Sequence, residues 1–284
     1  MVARVPETLR RTALAAGVVA GALAARALWW EPRQVLVRRC EVELPNLPRA
    51  LDGVRVAVVS DLHAGAPHVG PGKLRRIVSR VNAEQPDLVA LLGDFVDPGV
   101  ALGSDVPPEA VAARLRELSP PLGSFAVLGN HDWLADGKQV AARLRDAGIA
   151  VLENDAAAVE ARGVRLWLAG LADPSERRPR LDETLALVPE GEPVLLLSHR
   201  PDVFPSVPER VSLTLAGHTH GSQVDLPLVR ERVTPSRYGS RYAGGLVEER
   251  RRRMFVSTGI GTSRLPIRFR APPELALLTF RSAA

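Results

Sequence analysis

Lysine is almost missing from this sequence. Lys73 and Lys138 are the only two, so the formal net charge of +5 is carried almost wholly by arginine. Cysteine is reduced to Cys40, which excludes an intramolecular disulfide framework and a thiolate metal site. Any metal must therefore be held by His, Asp, Asn or Glu. Aromatic residues make up 4%, and no basic stretch is interleaved with rings that could stack on bases, so nucleic acid is not expected as a partner. A diffuse arginine excess suits anionic substrates or an anionic membrane surface instead.

An unbroken apolar run of spanning length is also missing. Arg10 and Arg11 precede an Ala/Gly/Val-rich run from Ala13 to Ala25, which Arg26 interrupts before Leu28, Trp29 and Trp30. That is shorter than the ~20 apolar residues that cross a bilayer comfortably. Two readings follow: Arg10-Arg11-Thr12-Ala13-Leu14 begins a loose twin-arginine export signal, or the segment is an uncleaved anchor, which the lack of a clean cleavage site favours. The bland alternative, an amphipathic helix on a soluble body, lacks a polar face between Ala13 and Ala25. Both readings place the protein at the cytoplasmic membrane with its body extracytoplasmic. The chain divides into this segment (1–30), a Pro-interrupted connector (31–52) with one expected strand at Gln34 to Leu44, and a catalytic body (53–284).

The 284 residues are 46% hydrophobic, an ordinary supply for a core. In the body, short apolar runs alternate with helical spacing, which predicts an α/β fold. Strands are expected at Val54–Ser60, Leu88–Leu92, Ser124–Leu128, Val164–Ala169, Val194–Leu197, Ser212–Ala216, Arg253–Ser257 and Leu275–Phe280. Helices are expected at Lys73–Asn82, Val111–Leu118 and Lys138–Ala147. The Arg250 to Arg253 run beside Glu248 and Glu249 reads as a solvated hairpin tip.

Histidine placement carries the function. Of six, His63, His131, His199, His218 and His220 fall just beyond the ends of apolar strands, with Asp61, Asp94 and Asn130 at the same edge. Loops beyond strand C-termini converge on one crevice in an open α/β sheet. His68 fits no such pattern and reads as a surface or substrate-loop residue. Each short motif is weak alone, since Asp-x-His and Gly-Asp are common in turns. Together, Asp61-Leu62-His63, Gly93-Asp94, Gly129-Asn130-His131-Asp132, His199 and Gly217-His218-Thr219-His220 resemble the ordered signature of the calcineurin-like metallophosphoesterase superfamily.

That resemblance implies a four-layer sandwich of two packed mixed β-sheets flanked by helices, and two divalent ions of undetermined identity (Mn, Fe or Zn). Asp61, His63, Asp94 and His220 would hold one ion; Asp94, Asn130, His199 and His218 would hold the other. A hydroxide bridging the metals would attack phosphorus, and His131 would protonate the leaving group. Asp97 and Asp132 are candidates for orienting these groups, and Arg264 and Arg268 for meeting substrate phosphate. Where protein phosphatases of the superfamily carry Gly-Asp-x-Val-Asp-Arg-Gly, Pro98 replaces the arginine, which disfavours a phosphoprotein substrate. The layout is similar to the bacterial membrane-proximal YkuE/YaeI-like branch, implying a phosphodiesterase acting on an envelope or lipid-linked phosphate ester. The alternatives are a UDP-2,3-diacylglucosamine-type pyrophosphate hydrolase of lipid A synthesis and a non-catalytic metal-binding scaffold.

Overall fold

The computed structural model describes residues 6–99 and 101–283. In chain order its elements are α1 (Glu7–Ala25), β1 (Leu36–Leu44), β2 (Arg55–Val59), α2 (Pro71–Ala83), β3 (Leu88–Leu91), α3 (Pro108–Leu115), β4 (Ser124–Ala126), α4 (Asn130–Ala135), α5 (Gly137–Asp146), β5 (Ala150–Val151), β6 (Asp155–Ala161) and β7 (Val164–Gly170). They continue with α6 (Leu181–Ala186), β8 (Val194–Leu197), β9 (Leu213–Ala216), α7 (Pro227–Val233), β10 (Gly245–Glu249), β11 (Arg252–Val256) and β12 (Glu274–Ser282).

The strands form two six-stranded mixed sheets, ordered β1-β12-β2-β3-β4-β5 and β10-β11-β9-β8-β7-β6. Successive side chains on a strand point to opposite faces, and the central strands are apolar on both. Val56, Val58, Leu88 and Ala90 from the first sheet meet Leu195, Leu197, Leu213 and Leu215 from the second in the layer between them. Ala57, Val59, Val89 and Leu91 turn the other way, under α2, α3 and α5. Val194 and Leu196 face outward to pack with Leu185, Phe204 and Tyr242. The result is the expected helix–sheet–sheet–helix sandwich. α2 shows how locally the pattern acts: Pro71 pre-sets its first turn, and Leu74, Ile77, Val78 and Val81 recur on one buried stripe.

Elements without a strong sequence signal also appear. β6 and β10 are edge strands added antiparallel to β7 and β11; of the expected Arg250–Arg253 tip only Arg250 and Arg251 form the turn, while Arg252 and Arg253 belong to β11 and pair with Glu249 and Glu248. Residues 31–52 supply β1, which pairs in parallel with β12 over nine positions from Leu36↔Glu274 to Leu44↔Ser282.

α1 is exposed along its whole length. It runs through a wide turn at Arg26–Trp30 and a tight one at Glu31–Arg33, giving 27 helical residues, long and apolar enough to cross a membrane. At 1.5 Å per residue that is about 40 Å. Its end is fastened to the body. The Arg268 N–H donates to the Ala27 carbonyl (3.0 Å), His68 Nε2–H to the Leu28 carbonyl (2.9 Å), and Lys73 Nζ to the Pro32 carbonyl (2.6 Å). Buried Glu31 accepts the Ala271 N–H (2.8 Å) and pairs with Arg26 (3.1 Å), which also lies over the Phe269 ring. Lys73 is buried and also donates to the Ile260 carbonyl (3.4 Å); burial, with Arg268 and Arg76 nearby, pulls its amine down to about 7.

Candidate metal centre

Parallel strands β2, β3 and β4 of one sheet and β8 and β9 of the other all end at one edge of the sandwich. The residues that follow them are Asp61 and His63, Asp94, Asn130, His199, and His218 and His220. The chain turns sharply there. Asp61, His63, Asp94, His218 and His220 all have positive φ, between 44° and 71°, a left-handed conformation that is costly for non-glycine residues and recurs at functional sites. Gly93 and Gly129 allow the β3 and β4 loops to touch: a Cβ on Gly93 would sit 2.5 Å from the Gly129 nitrogen, and one on Gly129 would collide with the Asp94 carboxylate.

Ligand atoms converge in two main groups, Asp61 with His63 and His220, and Asp94 with His199 and His218, each within 4.8 Å. The His63 and His220 Nε2 atoms are 3.1 Å apart, as are His218 Nδ1 and His199 Nε2. Asp94 Oδ2 lies between the groups, 3.4 Å from His63 Nε2 and 3.3 Å from His199 Nε2. Asn130 Oδ1 is 3.3 Å from His199 Nε2. Facing imidazole nitrogens gathered around buried carboxylates are a donor set that suits a divalent cation.

The partners behind these rings fix their tautomers. His63 Nδ1–H donates to Asp97 Oδ2 (2.6 Å) and His199 Nδ1–H to the Leu92 carbonyl (2.7 Å), which leaves both Nε2 atoms free. Behind His220 lies Arg268, fully buried, whose guanidinium sits 3.3 Å from Nδ1 and donates to the carbonyls of Gly261, Thr258 and Ala271. Arg268 therefore does not line the pocket, and with its donors so engaged it does not reach a substrate phosphate. Asp132 accepts the backbone N–H groups of Asp94 (2.8 Å), Phe95 (2.7 Å), Val96 (3.3 Å) and Gly129 (2.9 Å), so it shapes the loops rather than touching a histidine.

His131 lies beside the first group, in a third cluster with His63 and Asp97. Its N–H holds Asp94 Oδ1 (2.8 Å), its Nδ1 is 3.0 Å from Asp97 Oδ1, and its Nε2 faces the Ser263 hydroxyl at 3.4 Å. Burial works against the imidazolium, but the Asp97 and Asp94 carboxylates outweigh it and hold the pKa above the ordinary histidine value. Burial and the neighbouring His199 lower His218 to about 3, whereas the Asp94 and Asp61 carboxylates raise His199 against its burial to about 10.

A cavity of about 400 Å³ opens over Asp94, Asn130, His131, His218 and His220. Arg264, at φ 62°, lines it; Arg232, Gln223, Ser222 and Thr234 line it without having carried any sequence signal. Asp173 was also illegible: buried, it holds Arg200, the residue after His199, through two contacts of 2.9 and 3.2 Å. His68 lies against the helix junction, outside the metal groups.

Two mixed sheets with carboxylates and imidazoles converging at their shared strand edge define a metal-dependent phosphoesterase. The chain belongs to the calcineurin-like phosphoesterase family, whose model matches residues 54–222. It is 31% identical over 274 residues to the metallophosphoesterase YkuE of Bacillus subtilis (strain 168), covering 95% of this chain and 94% of that protein, which supports the YkuE-like branch. A metallophosphoesterase of Aquifex aeolicus (strain VF5) is 31% identical over 254 residues, 86% of this chain and 91% of its own. The Danio rerio transmembrane protein with metallophosphoesterase domain is 32% identical over 261 residues; the match takes in 86% of this chain and 57% of that longer relative. Among solved structures, a 5'-nucleotidase precursor from Thermus thermophilus aligns at a TM-score of 0.48 and 16% identity over 73% of this chain and 49% of its own, a likeness that carries no functional argument.

Proposed function

We propose that the protein is a membrane-anchored phosphodiesterase that uses two divalent ions (Mn, Fe or Zn) to hydrolyse an envelope or lipid-linked phosphodiester. The observation that carries the two-ion reading is Asp94, whose one carboxylate oxygen stands 3.3–3.4 Å from an imidazole nitrogen of each ligand group. In this reading Asp61, His63 and His220 hold one ion, Asn130, His199 and His218 the other, and Asp94 both. Ions bound there would make water more acidic and neutralise charge on the phosphoryl group. His131, its proton held by Asp97, donates to the departing oxygen from the cavity side. Arg264 grips a non-bridging phosphate oxygen at the cavity wall. The catalytic unit of this reading includes β1 and the Glu31–Arg33 turn, both built into the body.

Anchoring is supported by the exposed 27-residue helix and by the transmembrane relative. We place the body on the outer side, as the paired arginines before the apolar run suggest. Metal analysis of purified protein together with rates on bis(p-nitrophenyl) phosphate and p-nitrophenyl phosphate tests the chemistry. Two ions per chain and preference for the diester are expected; a metal-free protein, or an inactive metal-loaded one, defeats the reading. Alkaline phosphatase fused to the C-terminus should be active in cells, and an inactive fusion moves the body to the cytoplasm.

A further inference from the structure

The metal cavity is not remote from the anchor. Arg268 N–H holds the Ala27 carbonyl, and the adjacent Phe269 N–H holds the Gln223 carbonyl (2.9 Å) while its own carbonyl takes the Asp225 N–H (2.9 Å). Two residues further on begins α7. The helix end, the cavity rim at 263–267 and α7 are therefore linked by consecutive backbone hydrogen bonds, and the Gln223 side chain ties the rim further by donating to the Leu265 carbonyl (2.8 Å).

This rim brings exposed large apolar side chains and arginines together at the mouth of the cavity. α7 has no buried residue, and it presents Leu228 at 86% exposure beside exposed Val233 and Arg232. Across the opening stand exposed Leu265 and Arg264. At the end of α1, Trp29 and Trp30 are also exposed, at the position where tryptophans border a hydrocarbon span. Large apolar side chains in water are unfavourable, and arginines among them rule out a plain apolar partner. Apolar tips flanked by guanidinium groups match an interface with acyl chains below and anionic headgroups above.

We infer that the α7 and 263–267 rim, with Trp29 and Trp30, lies in the lipid–water interface of an anionic bilayer, so that the metal cavity opens onto the headgroup layer. This rests on the anchor reading above and adds an orientation to it. A phosphate ester carried on a lipid enters sideways, its chains remaining in the bilayer while the phosphate passes Arg264. The ester need not leave the membrane to be cleaved.

The test uses the full chain with Cys40→Ser, carrying either Leu228→Cys or Leu187→Cys labelled with a polarity-sensitive fluorophore. Leu187 is 51% exposed and follows α6 where the chain turns back to enter β8, at the sandwich edge away from the metal groups. Both sites are surface positions, so neither change disturbs the core. The proteins are reconstituted in vesicles of phosphatidylcholine and phosphatidylglycerol, with and without brominated acyl chains. The Leu228→Cys probe should shift to the blue and be quenched by bromine, and the Leu187→Cys probe should do neither. Equal, water-like emission from both in vesicle-bound protein overturns the proposal alone. Protein that does not float with the vesicles overturns the anchor reading and the proposal together. Hydrolysis of soluble bis(p-nitrophenyl) phosphate by the labelled proteins checks the phosphoesterase reading independently of either result.

Discussion

The two ligand groups differ in how they are closed. Asp61, His63 and His220 are all buried, with a carboxylate (Asp97) behind one ring and a guanidinium (Arg268) behind another. His199 is backed only by a backbone carbonyl, and its companions His218 and Asn130 line the cavity. A ring oriented by a charged side chain is set by residues that substitution can remove, whereas one oriented by the main chain is set by the fold. The first group is therefore the more enclosed and tunable one, meeting the cavity through His220, and the second is the more open, meeting it through both His218 and Asn130.

The strongest way to break this comparison is to remove what the two groups share. Asp94→Asn tolerates the left-handed backbone at that position, so melting behaviour should be kept. Turnover should fall by about 10⁴-fold, the worth of several kcal/mol of transition-state charge stabilisation, with loss of bound metal. Near-normal turnover defeats a shared carboxylate.

His131→Ala should retain both ions yet lose at least ~10²-fold on esters with poor leaving groups, and much less on p-nitrophenyl esters that need little protonation. Loss of metal in this variant would move His131 into the ligand set.

Arg268→Met sharpens the contrast by touching one group only. Metal affinity should weaken on the order of 10–100-fold at the His220 group alone, read as two separate phases in a metal titration where wild type should fill both tightly. Equal weakening of both phases would mean that the groups are one unit.

The smallest effect is in pH dependence. In the proposed mechanism His131 must be protonated to act, so the rate should fall as pH rises through its pKa, which Asp97 and Asp94 raise against burial. Asp97→Asn removes one of these carboxylates, and the alkaline limb of the kcat profile should move to lower pH. An unmoved limb assigns that limb to another group.

The sequence made the ligands legible because each closes an apolar run: Val56–Val59 before Asp61, Leu88–Leu91 before Asp94, and Val194–Leu197 before His199 are buried strands at both levels. β6 was not legible. Its stretch Asp-Ala-Ala-Ala-Val-Glu-Ala has weak strand propensity and gains order only by pairing along β7. α4 is six residues long, too short for a periodic signal, although Asn130 opens it. Arg268 was misplaced because burial of a guanidinium depends on carbonyls of residues 258, 261 and 271 folding around it. Nor could the run of left-handed residues at the strand ends be read, since only the glycines mark such turns by type.

With Lys73 sealed beneath the Pro32 and Ile260 carbonyls, Lys138 carries the one exposed ε-amino group of the chain. Amine-directed acylation of the native protein should therefore couple at the Lys138 side chain and leave Lys73 unmodified. Because Lys73 Nζ is released only when the Pro32 carbonyl moves away, the rate at which Lys73 becomes acylated serves as a clock for the opening of the helix–body junction, readable by mass spectrometry of a single peptide.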